Sequence, residues 1–258
     1  MIYFGYRTPS VTGLTFKEKI DLAVSLKMKS VELGPPDLPD DADPVQMKEM
    51  AASAGIMMKS VGMGGAQMCK PALKDEAVSS LKNLIVKSKA LGLDIIFNRT
   101  MNPEPGVPQP DTWKYIAELF RLFCSLCEES GIRFALEVDH GNFVQNLERA
   151  EYLFEKVNHK NLFLNYDPAN FYIGGSDPIR VIDHMKDYII CGHVKDGVYR
   201  TDKMGETKIG EGEVDYRAIF KKLNDEKISL VMHLEHCKSA QDVIDGAGPI
   251  IKILSELQ

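Results

Sequence analysis

Eight short apolar runs rich in Ile, Val, Phe and Leu punctuate this chain, each followed by a longer segment whose apolar residues return every three or four positions. The first pattern suits strands buried on both faces, the second amphipathic helices. Strands are predicted over residues 2–7, 30–33, 57–61, 94–98, 133–138, 162–166, 189–194 and 229–235. Helices are predicted over 17–26, 44–54, 74–91, 112–130, 147–158, 178–186, 216–225 and 240–257. Gly55, Gly92 and Gly131 each follow a helix and precede a strand, where a left-handed cap is expected. Asp111, Asp177 and Ser239 are expected N-caps, with Pro178 at the first helical position.

Alternating units of about 32 residues imply an α/β fold, either a closed barrel or an open doubly wound sheet. The turn after the first strand, RTPSVTGLTF, holds one glycine and no phosphate-binding fingerprint. The (β/α)8 TIM barrel is therefore favoured. No linker-like stretch divides the chain, so residues 1–258 read as a single barrel domain. Loops 34–43 (GPPDLPDDAD) and 102–110 (NPEPGVPQP) follow strands and belong at the C-terminal face, where such barrels keep their functional groups.

Composition acts mainly by exclusion. A net charge of −6 argues against a nucleic-acid partner, while leaving room for a small anionic substrate. No apolar run is long enough to span a bilayer and no secretory leader pattern opens the sequence, so a cytoplasmic, membrane-free protein is expected. Cys69, Cys124, Cys127, Cys191 and Cys237 are odd in number and scattered, unlike a disulfide framework. Cys124 and Cys127 form C-x-x-C inside a helical pattern and read as core thiols.

The chemistry lies where polar residues interrupt apolar strands. RFALEVDHG carries Glu137, LFLNYDPANF carries Asp167, IICGHVKDG carries His193 and LVMHLEHC carries Glu235, each near the end of its strand. Their separations of 30, 26 and 42 residues bring one βα unit between each pair, so all four can meet at one mouth. Three carboxylates buried together require a compensating cation or protons. With one imidazole they suit a single divalent metal ion, Mn²⁺, Mg²⁺, Co²⁺ or Zn²⁺, with positions open for substrate.

With these segments, and with IGEGEVDY at 209–216, the chain resembles the xylose isomerase-like TIM barrels, a superfamily of sugar and sugar-phosphate isomerases and epimerases. The resemblance implies that Glu137, Asp167, His193 and Glu235 bind the metal, Mn²⁺ or Mg²⁺ foremost. It also implies that Glu137 and Glu235 form an acid/base pair acting through an enediolate on a small sugar, ketose or keto-polyol. Related proteins are often dimers or tetramers, which implies a homo-oligomer.

Other residues carry weaker signals. Asn170 stands where some epimerases have histidine; it can bond a substrate hydroxyl or simply shape the turn after Pro168. Lys195, two positions after His193, either faces inward toward an anionic group or is a solvated loop lysine. Asp196 either orients a ligand from behind or caps its loop. Arg200 lies near a substrate-contacting arginine of related epimerases, and Glu32 in VELGPP either faces the mouth or is a buried strand residue. His233 is expected to be a core histidine.

Three other functions compete. A metal-dependent dehydratase or lyase acting on a keto-inositol, keto-glycoside or shikimate-type substrate shares the proton abstraction and differs in the fate of the enolate. An endonuclease of the endonuclease IV type resembles the same superfamily at IGEG, yet needs histidines on early strands, and none occurs here before His140. A non-catalytic binding protein on the same fold would have no use for three adjacent carboxylates.

Overall fold

A computed structural model describes residues 1–64, 70–200 and 204–257; Cys69 lies outside the described residues. Eight parallel strands close into a barrel: β1 (Ile2–Arg7), β2 (Ser30–Leu33), β3 (Met57–Gly62), β4 (Ile95–Asn98), β5 (Arg133–Glu137), β6 (Leu162–Tyr166), β7 (Ile189–Val194) and, last in the chain, β10 (Leu230–Leu234). Closure comes from β1 pairing with β10, Tyr6 opposite Leu234. Between β7 and β10 an antiparallel hairpin, β8 (Asp196–Tyr199) and β9 (Met204–Thr207), stands apart from the barrel.

The surrounding helices are α1 (Phe16–Ser25), α2 (Pro44–Ser53), α3 (Lys74–Leu91), α4 (Gln109–Glu129), α5 (Leu147–Val157), α6 (Pro168–Ile173), α7 (Pro178–Met185), α8 (Tyr216–Asp225) and α9 (Ala240–Glu256). Gly55, Gly92 and Gly131 take positive φ of 69°, 76° and 71°, as the expected caps require. Asp177 and Ser239 cap α7 and α9 through their side chains. Asp111 does not cap α4. Pro110 fits an N-terminal helical position, whose N–H would lack a helical partner anyway, so the helix begins at Gln109 and Asp111 falls in its first turn.

Alternation along the strands sorts the side chains into two layers. Outward residues meet the helices: Phe134 lies edge-on to Phe120 and Phe123 at 5.5 and 5.6 Å. Each such buried aromatic is worth about 1.5–3 kcal/mol of transfer free energy. Inward residues fill the barrel. One group is apolar, with Ile95, Phe97, Ala135 and Cys191. The other holds Arg7, Ser30, Glu32, His193, His233 and Glu235, joined by hydrogen bonds and ion pairs. Among the described residues no helix is long and apolar enough to cross a membrane.

Candidate metal centre

Glu137 is the last residue of β5, His193 lies within β7, and Asp167 and Glu235 follow β6 and β10 directly. The strand ladder continues to Glu235, whose N–H donates to the Val194 carbonyl at 3.1 Å. Asp167 caps α6, accepting from the Asn170 N–H at 3.0 Å. These backbone constraints bring one donor atom of each of Glu137, Asp167, His193 and Glu235 within 4.8 Å of one another, and all four residues are buried. The arrangement can coordinate a divalent metal.

The surroundings fit such an ion. Glu32, Glu137, Asp167 and Glu235 form one buried cluster in which Arg7 and Lys195 are the permanent cations among the described residues. The carboxylates outnumber these cations, and Glu206 shares Lys195 as well, so negative charge is left for a bound cation to offset. The buried Glu235 Oε1 accepts no hydrogen bond, although Lys195 Nζ lies 2.8 Å away. Burial works against an imidazolium at His193, but Glu32, Glu235 and Glu137 outweigh it and hold the ring's pKa well above its usual value. A bound metal would do the same neutralising work in place of that proton.

Burial pushes Asp167 up to about 6 even though Lys195 opposes the shift. Burial would raise Glu235 as well, but Lys195, His193 and Arg7 hold it well below the ordinary carboxylate range. Lys195 is buried, which disfavours its charge, yet Asp167 at 3.2 Å, Glu235 at 2.8 Å and Glu206 at 3.1 Å keep its pKa well above normal. The tyrosine opening α8 fixes this lysine's backbone: Tyr216 Oη donates to the Lys195 carbonyl at 2.5 Å and accepts from its N–H at 3.1 Å.

The weaker expectations divide. Lys195 faces inward, into the carboxylates rather than solvent. Asn170 is buried; its Nδ2 donates to Asp167 Oδ2 at 2.9 Å and its Oδ1 meets His140 Nδ1 at 2.9 Å, so its bonds brace a cluster carboxylate. Of the two places open to Glu32, the structure shows the buried one. Arg7, Ser60 and the rings of His193 and His233 surround its carboxylate, and burial leaves it no outward path. Asp196 is turned away from the ligands, toward its own loop. Its oxygens accept from the N–H groups of Gly197, Gly210, Gly212 and Val214, and a Cβ at Gly212 would lie 2.0 Å from Oδ1. Arg200, at the hairpin, is half exposed and pairs with Glu213 at 2.5 Å. His233 is a core histidine, bonded to Ser30 Oγ at 2.9 Å.

Two groups escaped the sequence reading. Arg7 ends β1 and reaches both Glu32 (2.7 Å) and Glu235 (2.9 Å); the signal was a charged residue closing an apolar strand. Glu206, on β9, bridges Lys195 and His236; burial would raise its pKa, but these two cations pull it down to about 2. A cavity of about 710 Å³ opens beside Lys195 and Glu235, bounded also by Glu206, His236, Lys238 and Asp242. That size is ordinary for a small-molecule pocket.

The family described as xylose isomerase-like TIM barrel matches residues 20–254. The chain belongs to that family. Inosose dehydratase of Clostridium perfringens is 24% identical over 132 residues, covering 45% of this chain and 44% of the relative. The chain thus spans less than half the length of that curated relative. The probable 3-DHS dehydratase of Bacillus anthracis superposes with a TM-score of 0.82 at 15% identity, over 99% of both chains. L-ribulose 3-epimerase superposes at 0.74 with 17% identity, over 100% of this chain and 98% of the other. At such identities the structural likeness carries the fold alone.

Proposed function

We propose that this family member is a metal-dependent lyase of the dehydratase type, acting on a keto-polyol such as a keto-inositol or a shikimate-type ring. The observation that carries this reading is the unequal company of the two glutamates. Glu235 is pinned by Arg7 and Lys195, whereas the Glu137 carboxylate pairs only with His193 among the described residues. An epimerase returning a proton to the same carbon needs two comparable acid/base groups. Elimination needs one base and a different acid.

Glu137, Asp167, His193 and Glu235 would hold the divalent ion, Mn²⁺ or Mg²⁺ foremost, and that ion supplies Lewis-acid stabilisation for charge developing on a substrate carbonyl oxygen. Glu137 takes the proton from the carbon beside the carbonyl. The electron pair left behind forms a carbon–carbon double bond as the C–O bond at the next carbon breaks. Lys195 gives its proton to the departing hydroxyl, which leaves as water. Arg7 and Lys195 hold Glu235 in place, and Arg200 on the hairpin is a further polar contact for the substrate. The inosose dehydratase relative supports the choice of chemistry.

The second reading is isomerisation or epimerisation of a ketose by Glu137 and Glu235 acting in turn; it is favoured by the convergence of both carboxylates on one cluster. A panel of keto-inositols, shikimate-type compounds and ketoses in deuterated water separates the two. The dehydratase reading predicts a product lighter by one water. In Lys195→Met it predicts deuterium exchange beside the carbonyl without elimination. A product of unchanged mass carrying solvent deuterium supports the second reading instead.

A further inference from the structure

Arg7 and Glu32 form an ion pair inside the barrel that nothing in the proposed chemistry uses. Arg7 Nε lies 2.7 Å from Glu32 Oε1, and its Nη1 donates to Glu235 Oε2 at 2.9 Å. The same Glu32 Oε1 lies 3.0 Å from His193 Nε2, while Ser60 Oγ donates to Oε2 at 2.8 Å. One guanidinium therefore touches a metal-cluster carboxylate directly and a metal-cluster histidine through one intermediary. Phe97 closes the assembly, edge-on to His193 at 5.2 Å between ring centroids and 5.6 Å from the Arg7 guanidinium.

We infer that Arg7 and Glu32 are positioning residues that set His193 and Glu235 together, turning Nδ1 of His193 toward the metal. A carboxylate paired with a guanidinium offers only acceptors, so the imidazole nitrogen facing Glu32, Nε2, carries the hydrogen. Nδ1 would then be the nitrogen whose lone pair is left to a metal that takes the place of the imidazolium's other proton. It is also the one that faces Glu137 Oε1 at 3.1 Å and Glu235 Oε2 at 3.5 Å. Hydrogen bonding of a ligand's second nitrogen to a carboxylate fixes its tautomer and ring orientation. Arg7 adds a coupling: its planar fork spans Glu32 and Glu235, a geometry that lysine, a single point of charge, cannot reproduce.

This inference rests on the metal reading above, and its test separates the two. Mn²⁺ affinity is measured by calorimetry for wild type, Arg7→Lys and Glu32→Gln, alongside the melting temperature of each metal-free protein. Loss of about ten- to a hundredfold in affinity is expected in both variants. Arg7→Lys keeps the charge, so its loss reports geometry. Because the pair acts as one unit, the double variant should lose much less than the product of the two single losses. In wild-type protein loaded with ¹¹³Cd²⁺ and labelled with ¹⁵N-histidine, the metal should couple to Nδ1 of His193 while Nε2 keeps its hydrogen; this readout needs no variant to fold. Wild-type affinity in Arg7→Lys, or coupling to Nε2, overturns the inference while leaving the metal site standing. Failure of wild type to take up either ion overturns both.

Discussion

The ends of β5 and β10 each deliver a glutamate to the same cluster, but into different company. At β5, Glu137 meets His193 at 3.1 Å. At β10, Glu235 meets Arg7 at 2.9 Å, Lys195 at 2.8 Å and His193 at 3.5 Å. The difference teaches that position in a barrel does not fix a carboxylate's task; its counter-charges do. A carboxylate held by two further cations is a poor proton acceptor and a good anchor, while one with fewer of them is freer to react.

The contrast can be broken most sharply by chemistry. Glu137→Gln should keep the fold and lower kcat by about 10²–10⁴-fold, the usual worth of a general base, as read from steady-state kinetics of dehydration. Unaltered turnover would remove Glu137 from the reaction. In the metal-free protein the ranking reverses. Glu235→Ala leaves Arg7 and Lys195 short of a buried partner and should cost about 3–5 kcal/mol in urea denaturation. Glu137→Ala should cost about 1 kcal/mol or less, the value of one hydrogen bond. Equal losses would erase the asymmetry.

Metal should enlarge both losses. A divalent ion at a hundred times its Kd adds about 2.7 kcal/mol to wild type, which a chelator then removes. Glu137→Ala, lacking a donor, should gain far less in the same melting experiment. A further effect is expected in the anchor's own support: Tyr216→Phe removes the hydroxyl that bonds the Lys195 backbone and should cost about 1–3 kcal/mol, with the metal affinity unchanged.

Much of this was legible in the sequence because two rules act locally. Strand and helix periods mark the eight units, and a charged side chain at the end of an apolar strand has to be explained. Glu137, Asp167, His193 and Glu235 were found that way, and Arg7 obeys the same rule at the end of IYFGYR. What stayed hidden depends on partners far along the chain. The sequence leaves Glu32 open between the mouth and the interior, and only the approach of Arg7, Ser60 and His193 decides it. Helix α6 spans six residues, too few to show a period, and it forms because Asp167 caps it and Pro168 starts it. The β8–β9 hairpin, with four residues per strand, gives a similarly faint pattern, yet it carries Glu206 to Lys195. Asp196 was open between supporting a ligand and capping its loop, and the glycine-rich turn at 210–212 takes up its oxygens.

The claim on which the rest stands is that this cluster of buried negative charge is a cation site. Titrating Mn²⁺ into chelator-treated protein, wild type beside His193→Ala, measures it directly. One ion bound per chain by wild type, with affinity lost in His193→Ala while the metal-free fold persists, is the predicted result. No uptake, or uptake that the histidine substitution leaves untouched, would contradict it.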